Sequence, residues 1–160
     1  MFLFVMIVLS LNGCKTKEES SQTDVKMDLV PGTKHNIVLL VDTENIKPGS
    51  NVKDFCSFPD RHPKVSIEDY TTHVLPGDSV VWLGLSTSAP TEDKVCIEMI
   101  NHRGGDNVLG PLKDVNCKVA GIIKEDALPD QEESYVIHFK VIKDGSPSKT
   151  YILDPKLRVH

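Results

Sequence analysis

The chain has 160 residues, 39% of them hydrophobic and 26% charged, and its 18 Lys and Arg against 23 Asp and Glu leave a formal net charge of −5. A mildly acidic chain gains nothing from neutralising phosphates, and no basic stripe or aromatic-basic interleaving occurs, which argues against a nucleic-acid partner. Its length suits one ordinary domain with a single core.

Phe2 to Leu11 is a largely apolar run of ten residues. A bilayer span needs about 20, so this length suits the h-region of a signal peptide, which is cleaved and not folded. Leu11-Asn12-Gly13-Cys14 follows. It resembles the lipobox of bacterial lipoproteins, in which an aliphatic residue, a tolerant position and a small residue precede the cysteine that is lipidated. The resemblance implies a palmitate-type lipid on Cys14, which becomes the mature N-terminus, and a place in the cell envelope, anchored to the outer membrane. One departure from the pattern is the lack of Lys or Arg between Met1 and the apolar run.

Lys15 to Asp24 contains no apolar residue, cannot bury enough surface to offset its ordering entropy, and reads as a tether. Lys17-Glu18-Glu19 also resembles the Lys-acidic-acidic signal of surface-displayed lipoproteins in Bacteroidetes-type bacteria, which implies display outside the cell. The expected division is a signal peptide over 1–13, a lipidated tether over 14–33 and a folded domain over 34–160. Removing 1–13 takes away no charge.

In the domain, His35 to Val41 is a β-branched run closed by Asp42, with a loop over Asn45 to Ser50. Pro59 and Pro63 bias their predecessors away from helix, so a loop is expected there, and Val65-Ser66-Ile67 alternates like a half-buried strand. Pro76-Gly77-Asp78 is a turn feeding the central strand, Val80 to Leu85, which carries the only tryptophan, Trp82. That strand contains no polar side chain, which predicts burial on both faces.

Lys94 to Ile100 has period two, with Val95, Ile97 and Met99 on one face and Cys96 and Glu98 on the other. Asn101 to Asn107 reads as a hairpin or loop tip, and Val119 to Ile123 as a strand. From Tyr135 to Ile142, Tyr135, Ile137, Phe139 and Val141 face one way, with His138 and Lys140 opposite. Lys143 to Ser146 then turns the chain into Thr150 to Leu153, in a hairpin whose loop exceeds the two-residue minimum, and Asp154-Pro155 closes the last strand. Seven or eight short strands without helical spacing predict an all-β antiparallel β-sandwich.

Val74 to Trp82 resembles the segment of cupredoxin-like domains in which a Gly-Asp turn leads into a Val-x-Trp strand; Ig-like Greek-key sandwiches use similar turns. The resemblance implies the sandwich. The copper ligands of cupredoxins are another matter: no histidine lies between Leu83 and Glu92, no cysteine follows Cys117, and Cys96, Met99 and His102 come in the wrong order. No metal or other cofactor is therefore expected.

Three cysteines remain after lipidation, in a compartment where disulfides persist. Pairing Cys96 with Cys117 closes the long Gly-rich connection and removes roughly 3 kcal/mol of loop entropy from the unfolded chain. The alternative is three reduced thiols, two of them buried. No catalytic motif occurs, and the oxygens of Glu125, Asp126, Asp130, Gln131, Glu132 and Glu133 lack the spacing of a calcium loop, so they read as a solvated acidic connection. The expected function is non-enzymatic binding of a protein or glycan partner through loops, with His102, Arg103 and Asp106 as contact residues. The other readings are a cupredoxin-type metal or electron carrier and an enzyme with a dispersed site.

Overall fold

The computed structural model describes residues 32–160. The signal peptide, the lipobox with Cys14 and nearly all of the tether lie outside the described residues. The domain is a β-sandwich of two mixed sheets, and a single 3-10 turn at Val52–Asp54 is the only helical element among the described residues.

The first sheet contains β1 (Lys34–Val41), β2 (Cys56–Ser57), β4 (Ser79–Ser86), β6 (Lys113–Asp114) and β7 (Lys118–Ile122), in the order β2-β1-β4-β7-β6. The second contains β3 (Thr71–Val74), β5 (Lys94–Gly105), β8 (Glu132–Lys143), β9 (Ser146–Pro147), β10 (Tyr151–Leu153) and β11 (Lys156–Val159). The long strand β8 organises this second sheet. β5 runs along one side of it; β9, β10 and β11 follow one another along the other, and β3 lies outermost on β11. Three of the eleven strands have two residues, and the remaining eight match the expected number.

Two pairings are parallel, β1 with β4 and β3 with β11, which the expectation of a purely antiparallel sandwich did not include. A parallel neighbour requires a long return of the chain. The return from β1 to β4 makes β3, in the opposite sheet, on its way.

Trp82 and Tyr135 join the sheets. Both are fully buried, and their rings meet edge to face with centroids 5.6 Å apart, a favoured aromatic geometry. Burial pushes the Tyr135 hydroxyl pKa far upward. The period-two expectation for β8 holds throughout, with Tyr135, Ile137, Phe139 and Val141 all buried. In β4 only one face is fully buried: Val80 and Trp82 point inward, whereas Leu85 on the other face is 49% exposed. The outer face is apolar without being covered, which an uninterrupted apolar run does not reveal.

On the flank away from β3 the sheets are tied together. Cys96 of β5 is bonded to Cys117, just ahead of β7, with Cα atoms 4.3 Å apart; this is the pair favoured by loop closure. Ile97 N–H donates to the Cys117 carbonyl at 3.1 Å beside it. Gly84 permits this approach, since a Cβ there would stand 2.3 Å from Val95 Cγ1. Cys56 stays a free, buried thiol with its pKa pushed up to about 12 by desolvation.

Several local expectations are corrected. Val65-Ser66-Ile67 is not a strand: Ser66 Oγ accepts from Asp69 N–H at 3.1 Å and donates to Asp69 Oδ2 at 2.6 Å, so local side-chain bonds outcompete an extended ladder. In β5, Ile97 lies opposite Phe139 and Met99 opposite His138, which leaves Glu98 as an extra residue. This bulge reverses the faces. Ile100 is consequently buried and Met99 is 46% exposed. Asn101 to Gly105 is no loop tip, because β5 continues through it against β8. The β8–β9 hairpin has the two-residue loop Asp144-Gly145, both at positive φ (48° and 75°), so it is shorter than expected. Asp154-Pro155 does not end the sheet, since β11 follows it.

Candidate functional site at a histidine-bearing sheet edge

The Leu75–Asp78 turn closes with Asp78 N–H donating to the Leu75 carbonyl at 3.1 Å, and Gly77 sits at φ +81°. Positive φ at the third position is the type II geometry that Pro-Gly favours. Asp78 is thereby turned inward, 3% exposed. Its Oδ1 accepts from Thr33 N–H at 2.7 Å, and its Oδ2 accepts from Leu75 N–H at 2.8 Å and from His35 Nε2 at 2.7 Å. Burial raises the carboxyl pKa, but the hydrogen bonds from Leu75, His35 and Thr33 outweigh it and leave it below the ordinary value.

This turn forms one wall of a cleft of about 220 Å³ that includes His35, Asp78, His73 and His160. His73 is on β3 and His160 just beyond β11; their imidazoles lie 4.5 Å apart between centroids, inclined at 45°, with His160 Nε2 against His73 Nδ1. His160 N–H donates to the Val74 carbonyl at 3.0 Å, which holds the chain end beside β3. Desolvation, then the neighbouring His160 and Arg158, lower the His73 pKa.

A second cleft, about 410 Å³, adjoins the first at His73 and is lined by Asp60, Arg61, His62, Asp69 and Tyr70. Tyr70 stacks on Phe58 with centroids 4.1 Å apart and donates its hydroxyl to Asp60 Oδ1 at 2.8 Å. Its pKa is pushed up to about 12, mainly by burial. Four of the six histidines, His35, His62, His73 and His160, therefore border clefts around one edge strand, β3, which among the described residues pairs with β11 alone.

The residues expected to form binding loops are exposed, and each also makes a polar contact within the domain. His102 lies on β5 with Nδ1 3.1 Å from Glu133 Oε1, Arg103 pairs with Asp154, and Asp106 Oδ2 accepts from Glu132 N–H at 3.1 Å. Glu133 is 1% exposed, and its Oε2 also accepts from Val108 N–H at 2.7 Å and Leu109 N–H at 2.9 Å. Reading Glu133 as part of a solvated acidic connection is thus corrected. The signal was present, since Glu133 falls in phase with Tyr135, Ile137, Phe139 and Val141. The rest of the acidic group is dispersed: Asp130 pairs with Arg158 at 3.0 Å and Glu132 lies 3.7 Å from Lys156.

Cys96, as half of a disulfide, offers no thiolate, so Cys96, Met99 and His102 do not make a blue-copper set. Among the described residues no group of three or more His, Cys, Asp and Glu is disposed to hold a metal ion. His73 and His160 are far apart in sequence, and the β3–β11 pairing brings them together.

No protein-family model matches the sequence, and no curated protein matches it. Its fold is similar to that of the inclusion body protein PixA from Burkholderia cenocepacia, known from a crystal structure, with a TM-score of 0.63 and 15% identity over 85% of this chain and 100% of that one. At that identity the likeness carries the fold, a β-sandwich.

Proposed function

We propose that the chain is a lipid-anchored β-sandwich of the cell envelope that acts without chemistry, by holding a protein or glycan partner. The observation that supports this most is the sheet edge at β3, where His73 is exposed between two clefts on a disulfide-bonded scaffold. An open edge strand offers unpaired backbone groups, and the clefts beside it offer places for side chains or sugar rings. We locate the surface at β3 in preference to His102, Arg103 and Asp106, which are also exposed but border neither of the two clefts described above. The lipobox resemblance supplies the anchor on Cys14 and the place at the outer membrane.

Two measurements test this reading. Labelled palmitate should enter the wild-type protein in its own cells and not Cys14→Ser; equal labelling, or none in either, overturns the anchor. A photo-crosslinker installed at Thr71 should capture one reproducible envelope protein or glycan, whereas the same group at Lys113 on the far sheet edge should not. Identical products from both positions would overturn the β3 surface.

A further inference from the structure

We propose that His73 and His160 form a two-imidazole site for a divalent transition-metal ion, copper or zinc in kind, whose remaining coordination positions face solvent. This goes beyond the binding role above and does not depend on it. Neutral imidazole nitrogen suits copper, zinc and nickel. Here two such nitrogens, His73 Nδ1 and His160 Nε2, are directed at one another from neighbouring strand ends. Without a metal the contact is an N–H···N hydrogen bond between two imidazoles; a dication seated between the rings would instead take a lone pair from each.

Backbone structure supplies the convergence. β3 and β11 are in parallel register with Arg158 opposite His73 and Val159 opposite Val74, and the His160 N–H to Val74 carbonyl bond continues that register to the chain end. With metal–nitrogen bonds of about 2.0–2.1 Å, the two nitrogens must stand about 3 Å apart, which needs only rotation of exposed rings. The adjoining cleft of about 220 Å³ leaves room for the ion and its waters.

The surrounding charges are mixed: Arg158, in register with His73, opposes a cation, and carboxylates lie near it. Arg158, on the same strand as the approach to His160, is paired with Asp130 at 3.0 Å, and Lys156 lies 3.5 Å from Asp69 and 3.7 Å from Glu132. Across the cleft stands the Asp78 carboxylate with His35 on it, and His62, Arg61 and Asp69 border the other side of His73. The site lacks a thiolate and is distinct from the Cys96, Met99 and His102 set.

Calorimetric titration of the full chain with Cu(II), and separately Zn(II), at pH 7.5 tests the site. One saturable equivalent is expected, with copper tighter than zinc. His73→Ala and His160→Ala should each weaken binding tenfold or more, and the control His138→Ala should not. Lowering the pH to 5.5 should weaken binding at least tenfold, as protons compete for the nitrogens. In NMR spectra, substoichiometric Cu(II) should broaden the ring signals of His73 and His160 before those of His102 and His138. Absence of saturable binding overturns the proposal, as does binding that both alanine variants retain or broadening that begins at another histidine. Both variants alter exposed side chains, so an unchanged unfolding midpoint accompanies a specific loss.

Discussion

Two buried carboxylates, Asp78 and Glu133, solve the same problem at different places in the sandwich. Each accepts two backbone N–H groups and faces one histidine, His35 for Asp78 and His102 for Glu133. They differ in where their partners come from. Asp78 takes one donor from Leu75, three residues back in its own turn, so part of its cradle forms as soon as Pro76 and Gly77 bend the chain. Glu133 takes donors from Val108 and Leu109, 25 and 24 residues away, and its histidine from β5. A buried charge is tolerated only when its lone pairs are filled. Asp78 is thus a turn residue that became buried, whereas Glu133 is a core-facing strand position whose carboxylate pins a loop.

Trp82, packed on Tyr135 two residues from Glu133 and on the strand that follows Asp78, is common to both regions. Trp82→Ala should have the largest effect, a loss of about 3–5 kcal/mol, read by chemical denaturation. The folded wild type should show blue-shifted tryptophan emission; emission like that of free tryptophan would remove the indole from the core. Glu133→Leu should cost about 3 kcal/mol, since it strands two buried N–H groups. Hydrogen exchange at Val108 and Leu109 should accelerate more than exchange at Ile37, and uniform acceleration would contradict a loop-pinning role.

Asp78→Asn should cost less, about 1–2 kcal/mol, because the amide oxygen still accepts one N–H and the turn retains its glycine. The smallest effect separates the two sites by pH. The folded Asp78 carboxyl has a lowered pKa, so its contribution is complete above the ordinary carboxylate pKa of about 4 and is lost as pH falls through the folded value. Denaturation midpoints between pH 7 and pH 3 should fall less steeply in Asp78→Asn than in the wild type. Parallel curves would place the acid sensitivity elsewhere.

The sequence by itself determined the class of fold and most strands of the core. A period of two in β8, a Pro-Gly-Asp turn and a tryptophan in an apolar run depend on neighbours along the chain, and local geometry translates them directly into strand and turn. It also favoured Cys96 with Cys117, because that bond closes the Gly-rich connection between them and removes its entropy from the unfolded chain. Only the tertiary structure decided the faces of β5 beyond Glu98, since a bulge is defined by the partner strand and reverses every following side chain. The same holds for β3 and β11, which are only four residues long: β11 is fixed by pairing with β8 on one side and β3 by pairing with β11. His73 and His160 meet through that parallel pairing, across 87 residues of chain, and no spacing rule within either segment encodes it.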